Sequence, residues 1–359
     1  MDIRMREIKE KVDNQVRLSK DDGLYLYETD DLLSLGKLAR QKKLEKSGRH
    51  VFFNVNRHIN LTNICVSRCK FCAFGIDDEH TEAYCMTAAE AFAYGAQAVK
   101  YGITEFHIVS ALHPDMPFEY YVDVVRRLHK EYPDIHIQAF TAVEIFYFAQ
   151  IAGLSVREVL QTLKEAGLGS MPGGGAEVFN DEIRRSLCPK KAMSQDWLEV
   201  HRTAHQLGIK TNCTMLFGHI ETLEDRVKHM VLLRELQDEA PGFQSFIPLP
   251  FLPGNTHMTN IRRTNAIDDI KTLAIARLML DNIDHIKAFW IMLGIPIAQI
   301  SLHFGADDID GTIVEERIMH AAGANTEKGI SKEEIIELIK QAGYTPVERD
   351  TLYNVIRTY

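Results

Sequence analysis

The alternation of short extended runs with amphipathic helical stretches constrains this chain more than any other feature. Extended candidates fall at 51–60, 105–112, 136–143, 167–171, 210–218, 243–250 and 286–293. Between them, apolar residues recur at helical spacing over 88–101, 117–131, 155–166, 194–207, 223–239 and 268–283. Parallel strand pairing needs a crossover of this length after each strand, so the repeat points to a parallel sheet. Helix starts are marked chemically: Ser155, Ser194 and Ser331 suit caps, Ser331 with Glu334 reads as a capping box, and Pro117 suits a first turn. The stretch 297–304 lies too close to the seventh run to be a parallel neighbour. With Pro296 ahead of it, Ile297, Ile300 and Phe304 on one face and Gly305 behind, it reads as a short helix. An eighth strand then falls at 308–313. Eight strand–helix units predict an α/β fold, a TIM-type (β/α)8 barrel over 51–330, with helical extensions at 1–50 and 331–359. The loops after Asn60, Leu112, Val143, Met171, Gly218 and Pro250 would share one mouth, where barrel chemistry sits. The doubly wound alternative lacks a GxGxxG after the first strand.

Charge and apolarity narrow the functional class. Of 359 residues, 45% are hydrophobic, and 41 Lys and Arg against 50 Asp and Glu leave a formal charge of −9. That balance opposes a nucleic-acid binder that works by neutralising phosphates. The first sixteen residues, MDIRMREIKEKVDNQV, are charged where an export signal would be apolar. The longest uncharged run, 288–302, contains Gly294 and Pro296 and is shorter than the roughly 20 residues of a membrane helix. A cytoplasmic protein without a nucleic-acid or membrane partner is expected.

Three of the six cysteines crowd into NLTNICVSRCKFCAF, giving Cys65, Cys69 and Cys72 a CxxxCxxC spacing just after the first extended run. In a reducing compartment such crowding points to a metal site. Soft thiolates select zinc or an iron–sulfur cluster. A structural zinc would need a fourth ligand, which His58 or His80 could supply, and would make this a non-enzymatic metal protein. A [4Fe-4S] cluster on three cysteines leaves one iron open to a small molecule. Cys213 reads as a small buried hydrophobe and Cys188, in LCPKK, as a helix-end packing residue.

The cysteine spacing, with an aromatic Phe71 before the last cysteine, resembles the radical S-adenosylmethionine (SAM) superfamily. From about Asn56 onward the chain resembles the aminofutalosine synthase family of menaquinone biosynthesis. The carriers are NRHINLTNICVSRCKFCAF, FHIVSALHPDMPFEYY, QAFTAVEI, MPGGGAEVF, FGHIET, GFQSFIPLPF, IKAFWIMLG and GADDIDGTIVEE. Dehypoxanthine futalosine cyclase and the tyrosine-using subunit of deazaflavin-cofactor synthase share several of these motifs. The triple glycine separates the chain from the deazaflavin enzyme, and Cys188 stands where the cyclase usually has serine. Ser110 and Ala111 depart from the two glycines that relatives carry at the end of the second strand.

The resemblance implies a [4Fe-4S] cluster on Cys65, Cys69 and Cys72, SAM as cosubstrate, and a flavodoxin- or ferredoxin-type electron donor. The implied reaction adds the 5′-deoxyadenosyl radical to 3-[(1-carboxyvinyl)oxy]benzoate, an aromatic enol-ether dicarboxylate, with rearrangement and loss of a carboxylate to give 6-amino-6-deoxyfutalosine. Cofactor contacts are expected from Phe71, Ser110, Glu144, the Gly173–Gly174–Gly175 loop and Glu177, and from Arg184 as partner of the SAM carboxylate. Glu144 and Glu177 would take ribose hydroxyls or the SAM ammonium, or else serve as a cap or ion pair. His219 and Glu144 are the catalytic candidates. His58, Asn60, His113 and Thr141 are further donors for the substrate carboxylates, and Phe140, Phe246, Phe289 and Trp290 are candidate lining.

Overall fold

Residues 2–312, 317–327 and 329–359 are described by the structure, a computed structural model. Three helices, α1 (Ile3–Asp13), α2 (Lys20–Glu28) and α3 (Leu32–Ser47), precede β1 (His50–Asn54) and β2 (Asn56–Ile59), one extended segment interrupted at Val55. Then come α4 (Ala88–Val99), β3 (Glu105–Ile108), α5 (Phe118–Glu131), β4 (His136–Ala139), α6 (Ala142–Ala152), α7 (Val156–Ala166), β5 (Ser170–Met171), α8 (Asp181–Leu187) and α9 (Ser194–Gln206). These are followed by β6 (Lys210–Phe217), α10 (Leu223–Glu239), β7 (Phe243–Pro250), α11 (Ala266–Met279), β8 (His285–Ile286), α12 (Trp290–Leu293) and α13 (Ile295–Ser301). The chain closes with β9 (Asp308–Gly311), α14 (Ile318–Ala321), α15 (Lys332–Gln341), β10 (Thr345–Arg349) and β11 (Val355–Thr358).

Strands β2 to β8 pair in chain order, all parallel, as a curled seven-stranded sheet. The curl closes at its base. A parallel bridge joins Lys287 to Asp308, and Ala288 N–H donates to Asp308 O at 2.8 Å. β9 in turn pairs with β1, with Phe52 N–H on Asp307 O at 2.8 Å. The first strand thus changes partners at Val55, from β9 and β10 below to β3 above, and completes the (β/α)8 ring.

The helices hold this ring by apolar stripes: Val122, Val125 and Leu128 of α5 and Val159, Leu160 and Leu163 of α7 are all buried. Each such side chain is worth up to about 1.5–3 kcal/mol. Capping boxes start α4, α6, α7, α10 and α15, among them the expected Ser155 and Ser331 pairs. Ser194 is not a cap; its hydroxyl donates to Asp181 at 2.5 Å. The N-terminal helices dock on the outer helices, where Arg234 donates to Leu18 O at 3.0 Å and Lys271 to Tyr27 O at 2.9 Å.

Several element readings need correction. The fourth candidate strand shrinks to Ser170–Met171, and the seventh stops at Ile286 because residues after Phe289 turn into α12. The third ends at Ala139, so Glu144 belongs to α6, which sequence reading missed. The eighth is present as β9, while Ile313 lies outside the described residues. Residues 331–359 are helical only in α15; β10 and β11 then add to the sheet beside β1.

The base of the barrel is sealed by that C-terminal segment. Glu105, inside the ring, accepts from Asn54 Nδ2 at 3.1 Å and Thr351 Oγ1 at 2.8 Å. Arg349 donates to Asp308 at 2.7 Å, both buried, and Tyr353 stacks on His285 with centroids 3.7 Å apart. The Glu105 carboxylate and the Arg349–Asp308 pair can occupy this interior because each is hydrogen-bonded there.

Candidate active site at the barrel mouth

At the opposite end, a cavity is enclosed by the cysteine loop, the ends of β3, β6 and β7, the start of α6 and the glycine loop after β5. Main-chain bonds pin the cysteine loop. Cys65 N–H donates to Ile76 O at 3.0 Å, Val66 N–H to Leu112 O at 2.9 Å, and Lys70 N–H to Leu187 O at 2.9 Å. All three loop cysteines are free thiols on the cavity wall.

Whether they suit a cluster can be tested on Gly75. A Cβ there would stand 3.0 Å from Cys65 Cβ, 3.5 Å from Cys65 Sγ and 4.0 Å from Cys72 Sγ, so the glycine leaves the sulfurs a concave bed. Among the described residues, no three His, Cys, Asp or Glu side chains converge as around a single ion. A cuboid cluster asks for something else, since its cysteines bind separate irons and must be spread along one wall. Cys69 has thiolate character: its thiol is pulled down to about 6, first by the Cys188 thiol beside it, against burial and aided by Lys191. The Cys188 thiol is raised by the same contact and by burial. Burial raises Cys72. The residues fit a cluster held by three cysteines.

Glu144 is a cap and a bridge at once. Its Oε2 accepts from Thr141 N–H at 2.7 Å and Thr141 Oγ1 at 2.8 Å, while Oε1 accepts Ser110 N–H at 2.8 Å. It ties the start of α6 to the end of β3. Burial pushes its carboxyl up to about 7, although those bonds pull the other way. Ser110 therefore spends its amide on protein, and its hydroxyl lies 3.4 Å from Thr62 O.

The glycine loop passes against β6. A Cβ on Gly173 would fall 2.6 Å from Cys213 Cα, a contact no side chain tolerates, and Thr214 Oγ1 donates to Gly173 O at 2.8 Å. Gly174 and Gly175 reach the cavity. Glu177, with φ +49°, turns its half-buried carboxylate onto Lys191 Nζ at 2.7 Å. Burial would raise this carboxyl, but Lys191 outweighs it and holds it low. Burial likewise disfavours the Lys191 charge, and Cys69 and Glu177 outweigh that effect.

Phe71, Ser110, Thr141, Glu144, Gly174, Gly175, Glu177 and the three cysteines thus all line one cavity. Arg184 does not: it is buried behind the glycine loop and donates to the carbonyls of Gly175, Ala176 and Ala192. His219 is also turned away. Its Nδ1 accepts Ile220 N–H at 2.7 Å, which leaves Nε2–H to donate to Leu216 O at 3.1 Å, and burial lowers its pKa. That saturated imidazole shapes the loop after β6. Asn60 donates to Val109 O, His113 accepts Asp115 N–H, and His58 stacks on His107 inside the ring.

The aromatic lining also differs. Phe140 packs with Tyr121 and Phe148 outside the strands, Phe246 is buried near His229, and Trp290 donates to Gly311 O at 3.0 Å. Phe289 is not on the cavity wall either; Phe71, Phe74 and Phe251 are. Sequence reading missed Lys191. Its signal was the LCPKK motif, but nothing in two adjacent lysines tells which one turns inward. The rest of the cavity lining is largely apolar, with Leu216, Leu249, Phe251, Leu252, Met292 and Met319. No helix among the described residues is long and apolar enough to cross a membrane.

Comparison with known proteins agrees with this geometry. Residues 59–233 match the radical SAM superfamily and 240–358 the CofH/MqnC C-terminal region. A Thermus thermophilus protein named aminodeoxyfutalosine synthase is 47% identical, the alignment covering 100% of this chain and 97% of that protein. The 5-amino-6-(D-ribitylamino)uracil--L-tyrosine 4-hydroxyphenyl transferase of Methanopyrus kandleri is 42% identical over 89% of this chain and 88% of its own. In fold, the crystal structure of methylornithine synthase matches with a TM-score of 0.76 at 18% identity, covering 94% of this chain and 97% of that one. The chain therefore belongs to the radical SAM superfamily, in the family of enzymes that contains these aminodeoxyfutalosine synthases.

Proposed function

We propose that this enzyme adds the 5′-deoxyadenosyl group of SAM to the enol-ether double bond of 3-[(1-carboxyvinyl)oxy]benzoate, forming 6-amino-6-deoxyfutalosine for menaquinone biosynthesis. The observation that carries the reading is one cavity lined by three free cysteines, the glycine loop, the Glu177–Lys191 pair and many apolar side chains. The full-length likeness to proteins named aminodeoxyfutalosine synthase supports it.

Cys65, Cys69 and Cys72 would hold a [4Fe-4S] cluster. When bound, the cluster supplies the electron that cleaves the sulfur–C5′ bond of SAM. The remaining work falls to the chain. Gly174 and Gly175 let the nucleoside lie close to the backbone, and Glu177 is available to its hydroxyl or ammonium groups. Lys191, on the wall where Arg184 was expected, is the cation suited to the SAM carboxylate. Glu144 positions the Ser110 segment beside the nucleoside rather than taking a proton from substrate. Leu216, Leu249 and Phe251 exclude water, which a primary alkyl radical and a low-dielectric carboxylate site both require.

Anaerobically reconstituted, reduced protein incubated with SAM and the enolpyruvyl benzoate should yield a covalent adenosyl product by mass spectrometry. Free 5′-deoxyadenosine as the sole nucleoside would refute addition. 4-Hydroxyphenyl transfer from tyrosine to 5-amino-6-(D-ribitylamino)uracil would place the enzyme with the archaeal transferases instead. Replacing Cys65, Cys69 or Cys72 by Ala should abolish SAM cleavage while the far-ultraviolet circular dichroism stays native.

A further inference from the structure

The thiols of the cysteine loop do not sit in equivalent surroundings. The Cys72 sulfur has main-chain N–H groups of Gly75 and Phe74 as hydrogen-bond partners, donors that belong to the loop whatever its side chains. Cys69 is met by side chains. Ser67 Oγ stands 3.3 Å from Cys69 Sγ, and the Cys188 thiol hydrogen-bonds to the same sulfur. Ser67 is 2%, Cys69 5% and Cys188 1% exposed, so water competes little for these contacts.

Main-chain bonds hold both partners in place. Cys188 ends α8 with its N–H on Arg184 O at 2.8 Å, and its carbonyl accepts Lys191 N–H at 3.0 Å. Lys70 N–H donates to Leu187 O at 2.9 Å, which draws the residue after Cys69 against the residue before Cys188. Ser67 follows Val66, whose N–H is fixed on Leu112 O at 2.9 Å. The two side chains therefore reach Cys69 from separate supports, one on the cysteine loop and the other at the end of α8.

Coordination decides which way these hydrogen bonds run. A cysteine sulfur that binds iron has lost its proton, so Ser67 O–H and Cys188 S–H become the donors and Cys69 Sγ the acceptor. A donor to a ligand sulfur draws off negative charge. It favours the reduced cluster, which carries one more electron, over the oxidised one.

We propose that Ser67 and Cys188 are positioning residues that act through Cys69 to raise the reduction potential of the cluster, bringing it within reach of a one-electron reductant. The inference rests on the cluster reading above. The reductant loses one electron as the cluster gains one; Ser67 and Cys188 keep their protons, and no covalent bond forms or breaks.

The test is the midpoint potential of the anaerobically reconstituted full chain, read by electron paramagnetic resonance during titration with titanium(III) citrate, with iron and sulfide assayed on every sample. Ser67→Ala and Cys188→Ala together should lower the reduction equilibrium constant about tenfold, a fall of about 59 mV for one electron. Each alone should give part of that shift, and the single variants decide the matter if the double variant holds less iron. Ser67→Thr and Cys188→Ser retain an O–H donor and should keep the constant within about twofold of wild type. Ala variants that match the wild-type midpoint would overturn the proposal. So would Thr and Ser variants that shift as far as the Ala ones, because packing rather than hydrogen bonding would then be the cause. Wild-type protein that takes up no iron and sulfide would instead overturn the cluster reading on which it rests.

Discussion

Lys191 and Glu144 show how much the chemistry of this mouth depends on single titratable side chains. If Lys191 pairs with the SAM carboxylate, Lys191→Met should weaken SAM binding about tenfold or more, while SAM lacking its carboxylate binds both proteins alike; equilibrium dialysis on reconstituted protein reads both. Glu144 predicts a pH signature. Its folded pKa, raised to about 7 by burial, lies above the unfolded value, so it stabilises the fold at low pH and that contribution is lost as pH rises through about 7. Between pH 5 and pH 8, wild type should lose about 2 kcal/mol relative to Glu144→Gln in urea unfolding. At this scale the sequence was only partly legible. Cysteine spacing marked three thiols that the structure brings to the cavity, because cluster chemistry demands those residue types close together. Arg184 and His219 misled because a basic residue in a motif carries no sign of which way it faces. The structure turns Arg184 onto three carbonyls and His219 onto its own loop.

Among elements, the cap of α6 joins local structure to the site. Thr141→Ala removes the hydroxyl that caps α6 and donates to Glu144, and should cost about 1 kcal/mol. It should also loosen the Ser110 amide, visible as faster hydrogen exchange there. Gly173→Ala should cost more, about 1–3 kcal/mol, because its Cβ would meet main-chain atoms of β6 that cannot move aside. α6 escaped sequence reading because AVEIFYFAQIA is apolar on nearly every face and shows no helical period. The third strand was overextended for the same reason. Amphipathic α5 and α7, whose outer faces meet water, were readable. β8 was overextended because IKAFWIML, apart from Lys287, runs apolar through both strand and turn.

Across the whole molecule, buried neutral histidines make the barrel acid-sensitive. Burial lowers His205 to about 4 and His229 to about 3, while hydrogen bonds to Thr211 and Thr214 hold them against β6. Their folded pKa values lie below the unfolded value, so the stability they contribute is present above about pH 6.5 and lost on acidification. From pH 7 to pH 5 each should cost about 2 kcal/mol. Glu144 offsets part of this, so the urea midpoint should drop most steeply in Glu144→Gln. The repeating strand–helix order made the ring readable in advance; its closure was not, because that depends on partners distant in the chain. β10 and Thr351 reach β1 and Glu105 from the far end of the sequence. A ribosome therefore releases the walls of this barrel long before it releases the floor. Until residues 345–359 emerge, the nascent ring must wait with Glu105 and the lower edge of β1 bare to water, and chaperones would meet it in that bottomless state.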